Sequence, residues 1–100
     1  MKSGDAELGS AHSTNLLKVV FATSALKDYR DFEKKDPKVF KRINRILKNI
    51  KETPFDGIGK PEPLKHNWTG YWSRRITQEH RLVYKVTEDK IFVAQCKFHY

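Results

Sequence analysis

The chain has 100 residues and a formal net charge of +8. A chain of this length forms one domain and has no room for a second core. It has no stretch near the roughly 20 apolar residues of a membrane span, no signal-peptide pattern, and a single cysteine, which excludes an internal disulfide. We therefore expect one cytoplasmic domain with no membrane segment.

The excess positive charge belongs to the part of the chain that is expected to fold. Residues 16–53 carry eleven Lys or Arg against five Asp or Glu, and residues 54–100 carry eight against five. An acidic partner is the natural inference, and nucleic acid is the commonest such partner. An acidic protein partner or solubility alone would give the same net charge, so these alternatives stay open.

The chain opens with a segment that predicts no regular structure. Residues 1–15 combine Gly, Ser, Ala and mixed charges without a period, and we interpret them as a disordered arm or an added leader. Residues 16–21 are rich in branched and aromatic side chains and predict a buried strand. Thr23 or Ser24 is expected to cap a short helix over residues 25–34.

A second helix is predicted from Asp36 to Thr53. Asp36 suits the cap, Pro37 suits the first helical position, and Pro54 stops the helix. Its apolar side chains recur at helical spacing and predict a core-facing stripe of Val39, Phe40, Ile43, Ile46, Leu47 and Ile50. The lysines and arginines of this helix fall off the stripe, so its outer surface is expected to be basic.

A long loop and three strands complete the predicted fold. Residues 54–69 have too many Gly and Pro residues for a regular element, yet loops of this length are often functional. Strands are predicted at residues 71–76, 81–87 and 91–98. The expected α+β domain, residues 16–100, packs two helices on one face of a mostly antiparallel, roughly four-stranded sheet, and leaves the other face open.

Strand alternation is expected to make the open face rich in arginine. In the strand over residues 81–87, the apolar residues at alternate positions should face the core, which leaves Arg81 on the opposite face. In the preceding strand Arg75 alternates with Arg74. The loop and the C-terminal residues add the other candidates for a phosphate-handling site: Glu62, Lys65, His66, His99 and Tyr100.

RNA cleavage by a ribose 2′-hydroxyl needs a base, an acid and cations that stabilise charge on phosphate. A glutamate is a weak base, a histidine serves as acid or base, and a guanidinium matches phosphate oxygens. Glu62 lies between Pro61 and Pro63, so its backbone is expected to be stiff and extended. Because DNA lacks the 2′-hydroxyl, this chemistry would act on RNA alone.

Each candidate also has an ordinary structural explanation. By that account Glu62 is a solvated loop acid, His66 and His80 are turn or surface histidines, and His99 and Tyr100 are a frayed terminus. The strand arginines, Arg74 among them, are then exposed charges or edge protectors, and the cysteine is a buried strand residue. The sequence has no metal-ligand spacing and no phosphate-cradling motif, so we predict neither a metal nor a cofactor.

The segment PFDGIGKPEPLKHNWTGYWSRRITQEHRLVYKVT and the terminal CKFHY closely resemble the YoeB/Txe branch of the RelE-type bacterial toxins. The resemblance covers nearly all of residues 54–100, and residues 16–53 agree in layout. It implies a RelE/ParE-like fold and a ribosome-dependent endonuclease that cuts mRNA in the decoding A site of the bacterial ribosome. It also implies a toxin–antitoxin pair in which a cognate acidic antitoxin binds over the toxin. Family members are typically dimers, which this sequence neither supports nor excludes.

The resemblance assigns a role to each candidate residue by its position in the matching motifs. Glu62 in KPEPLKH looks like the general base, Arg81 in EHRLVY like the phosphate-stabilising cation, and His99 in FHY like the general acid. Tyr100 would help to position the substrate. Further RNA-contacting or supporting groups of the family fall at Lys65, His66 and Arg75.

The leading hypothesis is therefore a metal-independent mRNA interferase. One rival is a toxin of the same superfold that poisons DNA gyrase by binding, for which Glu62, Arg81 and His99 together would be unneeded. A second rival is a non-enzymatic module that binds RNA or the ribosome, for which the basic helices would suffice. The enzymatic hypothesis requires these three side chains to converge on a single phosphodiester.

Overall fold

The computed structural model describes residues 17–99, so the predicted N-terminal arm at residues 1–15 and the candidate residue Tyr100 lie outside the described residues. The elements follow the order β1 (Lys18–Phe21), α1 (Thr23–Lys35), α2 (Pro37–Glu52), β2 (Glu62–Pro63), β3 (Trp72–Arg75), β4 (Arg81–Val86) and β5 (Lys90–Gln95). A short 3-10 turn, His66–Trp68, lies between β2 and β3. Neither described helix is long and apolar enough to cross a membrane.

The strands form one sheet in the order β1-β5-β4-β3-β2. β1 runs parallel to β5, and the other neighbours are antiparallel. The predicted α+β class with a mostly antiparallel sheet is confirmed, with one strand more than expected. That strand, β2, lies within the segment predicted as a loop. It has only two residues and occupies a sheet edge, where a proline costs no interior ladder hydrogen bond.

Helix α2 forms as its sequence predicts. The Asp36 carboxylate accepts a hydrogen bond from the Val39 amide, and Pro37 occupies the first turn. The stripe supplies much of the core, with buried Val39, Ile43, Ile46, Leu47 and Ile50. Phe40, expected in the core, is only partly buried and packs its ring 4.8 Å from that of Tyr29. The helix therefore closes the core with branched aliphatic side chains and leaves aromatic residues at its margin.

Helix α1 begins earlier than predicted and has a different cap. Its N-cap is Ala22, with no side-chain hydrogen bond, so the expected capping by Thr23 or Ser24 is wrong. The Ala22 amide instead donates to the Val93 carbonyl at 2.8 Å, which ties the end of β1 to β5. Because the chain is held there by the sheet, the helix starts directly after the strand without a polar cap.

The alternation in β4 separates the two faces of the sheet as predicted. Leu82 and Tyr84 are fully buried on the helix side and belong to the same core as the α2 stripe. Val83 points to the other face and is also fully buried, so the centre of that face is covered. Arg81, two positions before Val83, lies on this second face at the start of the strand.

Candidate active site

The helix-free face of the sheet carries a row of paired residues from β2 to β5. Glu62 pairs with Ser73, Ser73 pairs with Val83, and Val83 pairs with Gln95. Directly opposite residues in neighbouring strands project to the same face. Neighbouring strands lie about 4.8 Å apart, so the backbone of Glu62 and that of β4 are separated by about 10 Å across β3. Glu62 is thus placed on the same face as Arg81.

Arg81 is held at one end of its guanidinium. Its Nη1 donates to the carbonyl oxygens of Thr77, Gln78 and His80 at 2.8, 3.1 and 3.1 Å. All three bonds use Nη1, and within residues 17–99 the Nε and Nη2 atoms have no acceptor. The turn before β4 therefore fixes the guanidinium while leaving part of its donor edge for an anion.

The side chains of His99 and Arg81 lie close together because both contact the carbonyl oxygen of Gln78. Its Nε2 is 3.3 Å from the Gln78 oxygen, the same oxygen that accepts from Arg81 Nη1. The amide group of Gln95 donates to the carbonyl oxygens of Lys97 and His99 at 3.1 and 2.8 Å. His99 is exposed but tethered through both its backbone and its ring. The frayed-terminus interpretation is therefore wrong for His99.

A cleft of about 570 Å³ adjoins Glu62 on the loop side, and its wall comprises Glu62, Pro63, Leu64, Lys65, His66, Asn67 and Trp68. Leu64 is buried and anchors the wall, whereas Glu62, Lys65 and His66 are exposed. His66 has a left-handed backbone, with φ of 58°, and its carbonyl accepts from the amide and hydroxyl of Thr69. The cleft thus presents a carboxylate, a cation and an imidazole on one short segment.

Arg75 joins the second face opposite Arg81, with which it is paired in the ladder between β3 and β4. Its side chain is exposed. Its backbone is not free: the amide donates to the Gly59 carbonyl at 2.6 Å, and its carbonyl accepts from Arg42 of α2 at 3.4 Å. Two arginines of neighbouring strands are therefore paired on the face that also carries Glu62.

Arg74 is a buried structural arginine that the sequence did not identify. It is 0% exposed on the helix side of β3, so its interpretation as an exposed strand charge is wrong. It donates to five oxygen atoms, and each acceptor is neutral: the Tyr84 hydroxyl, the Asn49 side-chain carbonyl, and the main-chain carbonyls of Ile58, Thr53 and Asp56. No carboxylate among the described residues forms an ion pair with it.

The Arg74 network shapes the loop that leads to Glu62. Asn49 accepts from the Ile58 amide at 3.1 Å, and the Tyr84 hydroxyl donates to the Pro54 carbonyl at 2.7 Å. Gly57 has φ of +119°, and a Cβ there would lie 2.0 Å from the Asn49 oxygen. Since Gly59 is in turn bonded to Arg75, the loop is fixed up to three residues before Glu62.

Tyr84 and Cys96, two of the groups whose pKa values are shifted, lie in the hydrophobic core. Burial raises the pKa of Tyr84, although the hydrogen bond from Arg74 opposes the shift. Burial also raises the pKa of the Cys96 thiol to about 12, and its Sγ lies 3.4 Å from the Ala25 carbonyl. Cys96 is buried, as predicted. Within residues 17–99, no group of three or more His, Cys, Asp or Glu is placed to hold a metal ion.

The structure thus brings Arg81 and His99 together at the Gln78 carbonyl and pairs Arg75 with Arg81, and it sets Glu62, Lys65 and His66 on the cleft next to β2. Sequence reasoning missed Gln78, whose contribution is a main-chain carbonyl with no side-chain signal. It also missed Trp68, which lies half-buried on the cleft wall with its ring edge-on to Tyr71 at 5.2 Å. An aromatic residue in a polar loop next to basic side chains is a signal that could have identified Trp68.

Comparisons with known proteins agree with this fold. The family model described as "YoeB-like toxin of bacterial type II toxin-antitoxin system" matches residues 21–100. Toxin YoeB of Escherichia coli K12 is 49% identical over 84 residues, which cover 84% of this chain and 100% of the relative.

Two solved structures from Staphylococcus aureus are also similar to the chain. The structure of a YoeB dimer has a TM-score of 0.81 and 50% identity, and the match covers 85% of this chain and 99% of that chain. A YoeB–YefM complex has a TM-score of 0.79 and 49% identity, with coverage of 84% and 98%. The resemblance to the YoeB toxins found in the sequence is therefore confirmed over most of the chain.

Proposed function

The chain belongs to the YoeB-like toxins of bacterial type II toxin–antitoxin systems, and we propose that it is an endoribonuclease that cleaves mRNA in the ribosomal A site. The observation that carries this proposal is the arrangement on the helix-free face. Glu62 lies in β2 on the same face as Arg81, and Arg81 shares the Gln78 carbonyl with His99. This arrangement suits a base and an acid on either side of one phosphate.

In the proposed reaction, the Glu62 carboxylate removes the proton of a ribose 2′-hydroxyl. The 2′ oxygen attacks the neighbouring phosphorus and forms the new bond, while the bond from phosphorus to the 5′ oxygen breaks. The imidazolium of His99 gives its proton to the leaving 5′ oxygen. The products are a 2′,3′-cyclic phosphate and a 5′-hydroxyl, and the enzyme is left with a protonated Glu62 and a neutral His99. A positioned base or acid each contributes about 10²- to 10⁴-fold to such a step.

Arg81 is proposed to stabilise the charge that develops on the phosphate. Its Nη1 is occupied by three carbonyls, so the orientation of the guanidinium is set before substrate binds. Preorganised donors of this kind lose little energy to reorientation during the reaction. Arg75 pairs with Arg81, Lys65 and His66 line the cleft that includes Glu62, and all three are proposed to contact the RNA backbone. Tyr100 is proposed to help position the substrate.

The reaction as proposed uses no metal ion and no cofactor, because Glu62, His99 and Arg81 supply the base, the acid and the cation. The rigid backbone around Glu62 suits this residue to act as a base. It lies in β2 between two prolines, and Arg74 binds the carbonyl oxygens of Thr53 and Asp56 in the loop that precedes β2. A carboxylate is a weak base, so accurate placement next to the 2′-hydroxyl has to supply much of its effect.

The ribosome is proposed to bind the outer surface of α2. Its exposed cations, Lys41, Arg45 and Lys48, lie off the buried stripe. Such residues contact phosphate groups, which position a protein on RNA without reading its sequence. Because mRNA and ribosomes are the proposed targets, the bacterial cytoplasm is the proposed location.

A cognate antitoxin is the other proposed partner. The Staphylococcus aureus relative is found in complex with YefM, and a dimer of that relative is also known. We expect an acidic antitoxin segment to order on the basic surface of this chain and to block the helix-free face. A homodimer is proposed on the same comparison.

One assay tests the proposed function against its rivals. Translating ribosomes carrying a defined message are incubated with the wild-type protein or with His99→Ala, and A-site cleavage is read by primer extension. Cleavage by the wild type that is lost in His99→Ala is expected. No cleavage by the wild type would reject the enzyme; inhibition of DNA gyrase would then indicate a gyrase poison, and ribosome binding alone would indicate a non-enzymatic module.

A further inference from the structure

His80 is a buried imidazole that the proposed reaction does not use. It is 8% exposed and lies between two phenylalanine rings, with Phe32 at 5.2 Å in an edge-on arrangement and Phe98 at 5.7 Å. It lies in the turn before β4, as the sequence predicted, but its burial contradicts the alternative of a surface histidine. A histidine in an aromatic pocket can serve as simple packing, so its polar contacts decide whether it does more.

The polar contact of the His80 ring is made to the backbone of Phe98, the residue just before His99. The Phe98 amide donates to His80 Nδ1 at 2.9 Å. The next residue, Arg81, donates its own amide to the Phe98 carbonyl at 3.0 Å. His80, the last residue of the turn, and Arg81, the first residue of β4 and the proposed catalytic cation, therefore bind both polar backbone groups of Phe98.

Phe98 needs such support because its backbone is strained. Its φ is 63°, in the left-handed region that a bulky side chain rarely adopts. A conformation of this kind is unfavourable and persists only where the surroundings enforce it. The side chain of Phe98 is itself exposed, so apolar burial of that ring is a weak restraint. The two hydrogen bonds restrain Phe98 itself, and the Gln95 side chain binds the carbonyl oxygens of the flanking residues Lys97 and His99.

We propose that His80 is a positioning residue that sets His99 for proton transfer by accepting the Phe98 amide on an unprotonated Nδ1. This inference rests on the proposed function of His99. The bend at Phe98 directs His99 back over Gln78. There the His99 ring reaches the Gln78 carbonyl oxygen that also accepts from Arg81. Without the acceptor on His80, the Phe98 amide loses its partner, the left-handed bend is restrained less, and His99 samples more positions away from Arg81.

The required tautomer of His80 carries its proton on Nε2. On that side the Glu79 carboxylate is 3.7 Å away, too far for a hydrogen bond but suitably charged to favour an Nε2–H group. A proton on Nδ1 would instead point at the N–H of Phe98, so the hydrogen bond between Phe98 and His80 could not form. The positioning role therefore depends on the acceptor atom and not on the size of the ring.

Asn and Leu at position 80 form a matched pair for the test. The two side chains branch at the same carbon and have nearly the same shape, but only Asn offers an oxygen near the place of Nδ1. We expect His80→Leu to cleave A-site mRNA with a kcat on the order of 10²-fold below that of His80→Asn, because misplacement by about 1 Å costs about this factor. KM should be similar in both, since His80 does not touch the RNA. Equal kcat values, or a faster Leu variant, would show that His80 only fills space.

A second measurement needs no activity and no variant. In the wild-type protein, ¹⁵N shifts of the His80 ring should show an unprotonated Nδ1 that accepts a hydrogen bond, and the Phe98 amide should be protected from hydrogen exchange. A proton on Nδ1 or an unprotected amide would overturn the positioning role. If the wild type failed to cleave mRNA while these signals were present, the proposed function would fall and the restraint on Phe98 would stand.

Discussion

Arg74 allows a direct test of what holds the loop before Glu62. Replacing it with Met keeps an unbranched stem of similar length and removes every donor. The change deprives five oxygen atoms of a hydrogen bond: those of Asn49, Thr53, Asp56, Ile58 and Tyr84. Some of these oxygens can be rehydrated, because Thr53 and Asp56 lie at the surface, whereas Asn49 and Ile58 are half-buried.

The expected loss follows from that difference. A hydrogen bond to a charged group contributes about 1.5–3 kcal/mol, and a buried acceptor left without a donor costs about 1–3 kcal/mol. These values do not add fully, and Met also relieves the cost of burying a charge. We expect the free energy of unfolding to fall by about 3–5 kcal/mol, out of the roughly 5–15 kcal/mol of a typical domain. A decrease in Tm of more than about 12 °C should accompany it.

The control is the neighbouring residue. Arg75 is the same residue type in the same strand, but its side chain is exposed on the other face. Arg75→Met should change the free energy of unfolding by no more than about 0.5 kcal/mol. Urea unfolding followed by tryptophan fluorescence and circular dichroism gives both values. If the two variants lost the same stability, the Arg74 network would not hold the loop and the reasoning above would be refuted.

Three further outcomes are expected. Glu62→Gln should fold normally and lower kcat for A-site cleavage by about 10²- to 10⁴-fold; activity within a factor of two of the wild type would exclude Glu62 as the base. Deleting residues 99–100 should leave the urea midpoint unchanged and abolish toxicity in cells, and a truncated protein that remained toxic would contradict the role of His99. Burial raises the pKa of Cys96 to about 12 from 9.0, so its contribution to stability is complete below pH 9 and is lost as the pH rises towards 12. The free energy of unfolding should therefore fall less between pH 9 and pH 12 in Cys96→Ala than in the wild type, and equal slopes would argue against a buried thiol.

The helices and the main strands could be predicted because their signals are local. In α2, an Asp-Pro start and a helical stripe that includes Ile43 and Ile50 act together, and the observed element begins and ends within a residue of its prediction. The cap of α1 was not predictable in this way. Ala22 is fixed by a hydrogen bond to Val93, a partner more than seventy residues away, and no short-range pattern reports such a contact.

In the candidate site, too, features with a local sequence pattern could be predicted, and features that depend on distant partners could not. Alternation in β4 predicted the face that carries Arg81, since a period of two is written directly in the sequence. The burial of Arg74 and of His80 could not be predicted in that way. Most of their partners are distant main-chain groups, such as those of Thr53, Asp56 and Phe98, which carry no side-chain signal in the sequence. A polar side chain that binds distant backbone looks, in sequence, like any surface residue.

The position of β5 has a consequence for the timing of synthesis. This strand is the neighbour of both β1 and β4, so a nascent chain that has not reached Lys90–Gln95 leaves two edges of the sheet without a partner. Helices and the β3–β4 hairpin can form earlier, but the first strand waits for nearly the whole domain to emerge from the exit tunnel. A prematurely terminated product would therefore expose unpaired strand edges and be prone to degradation.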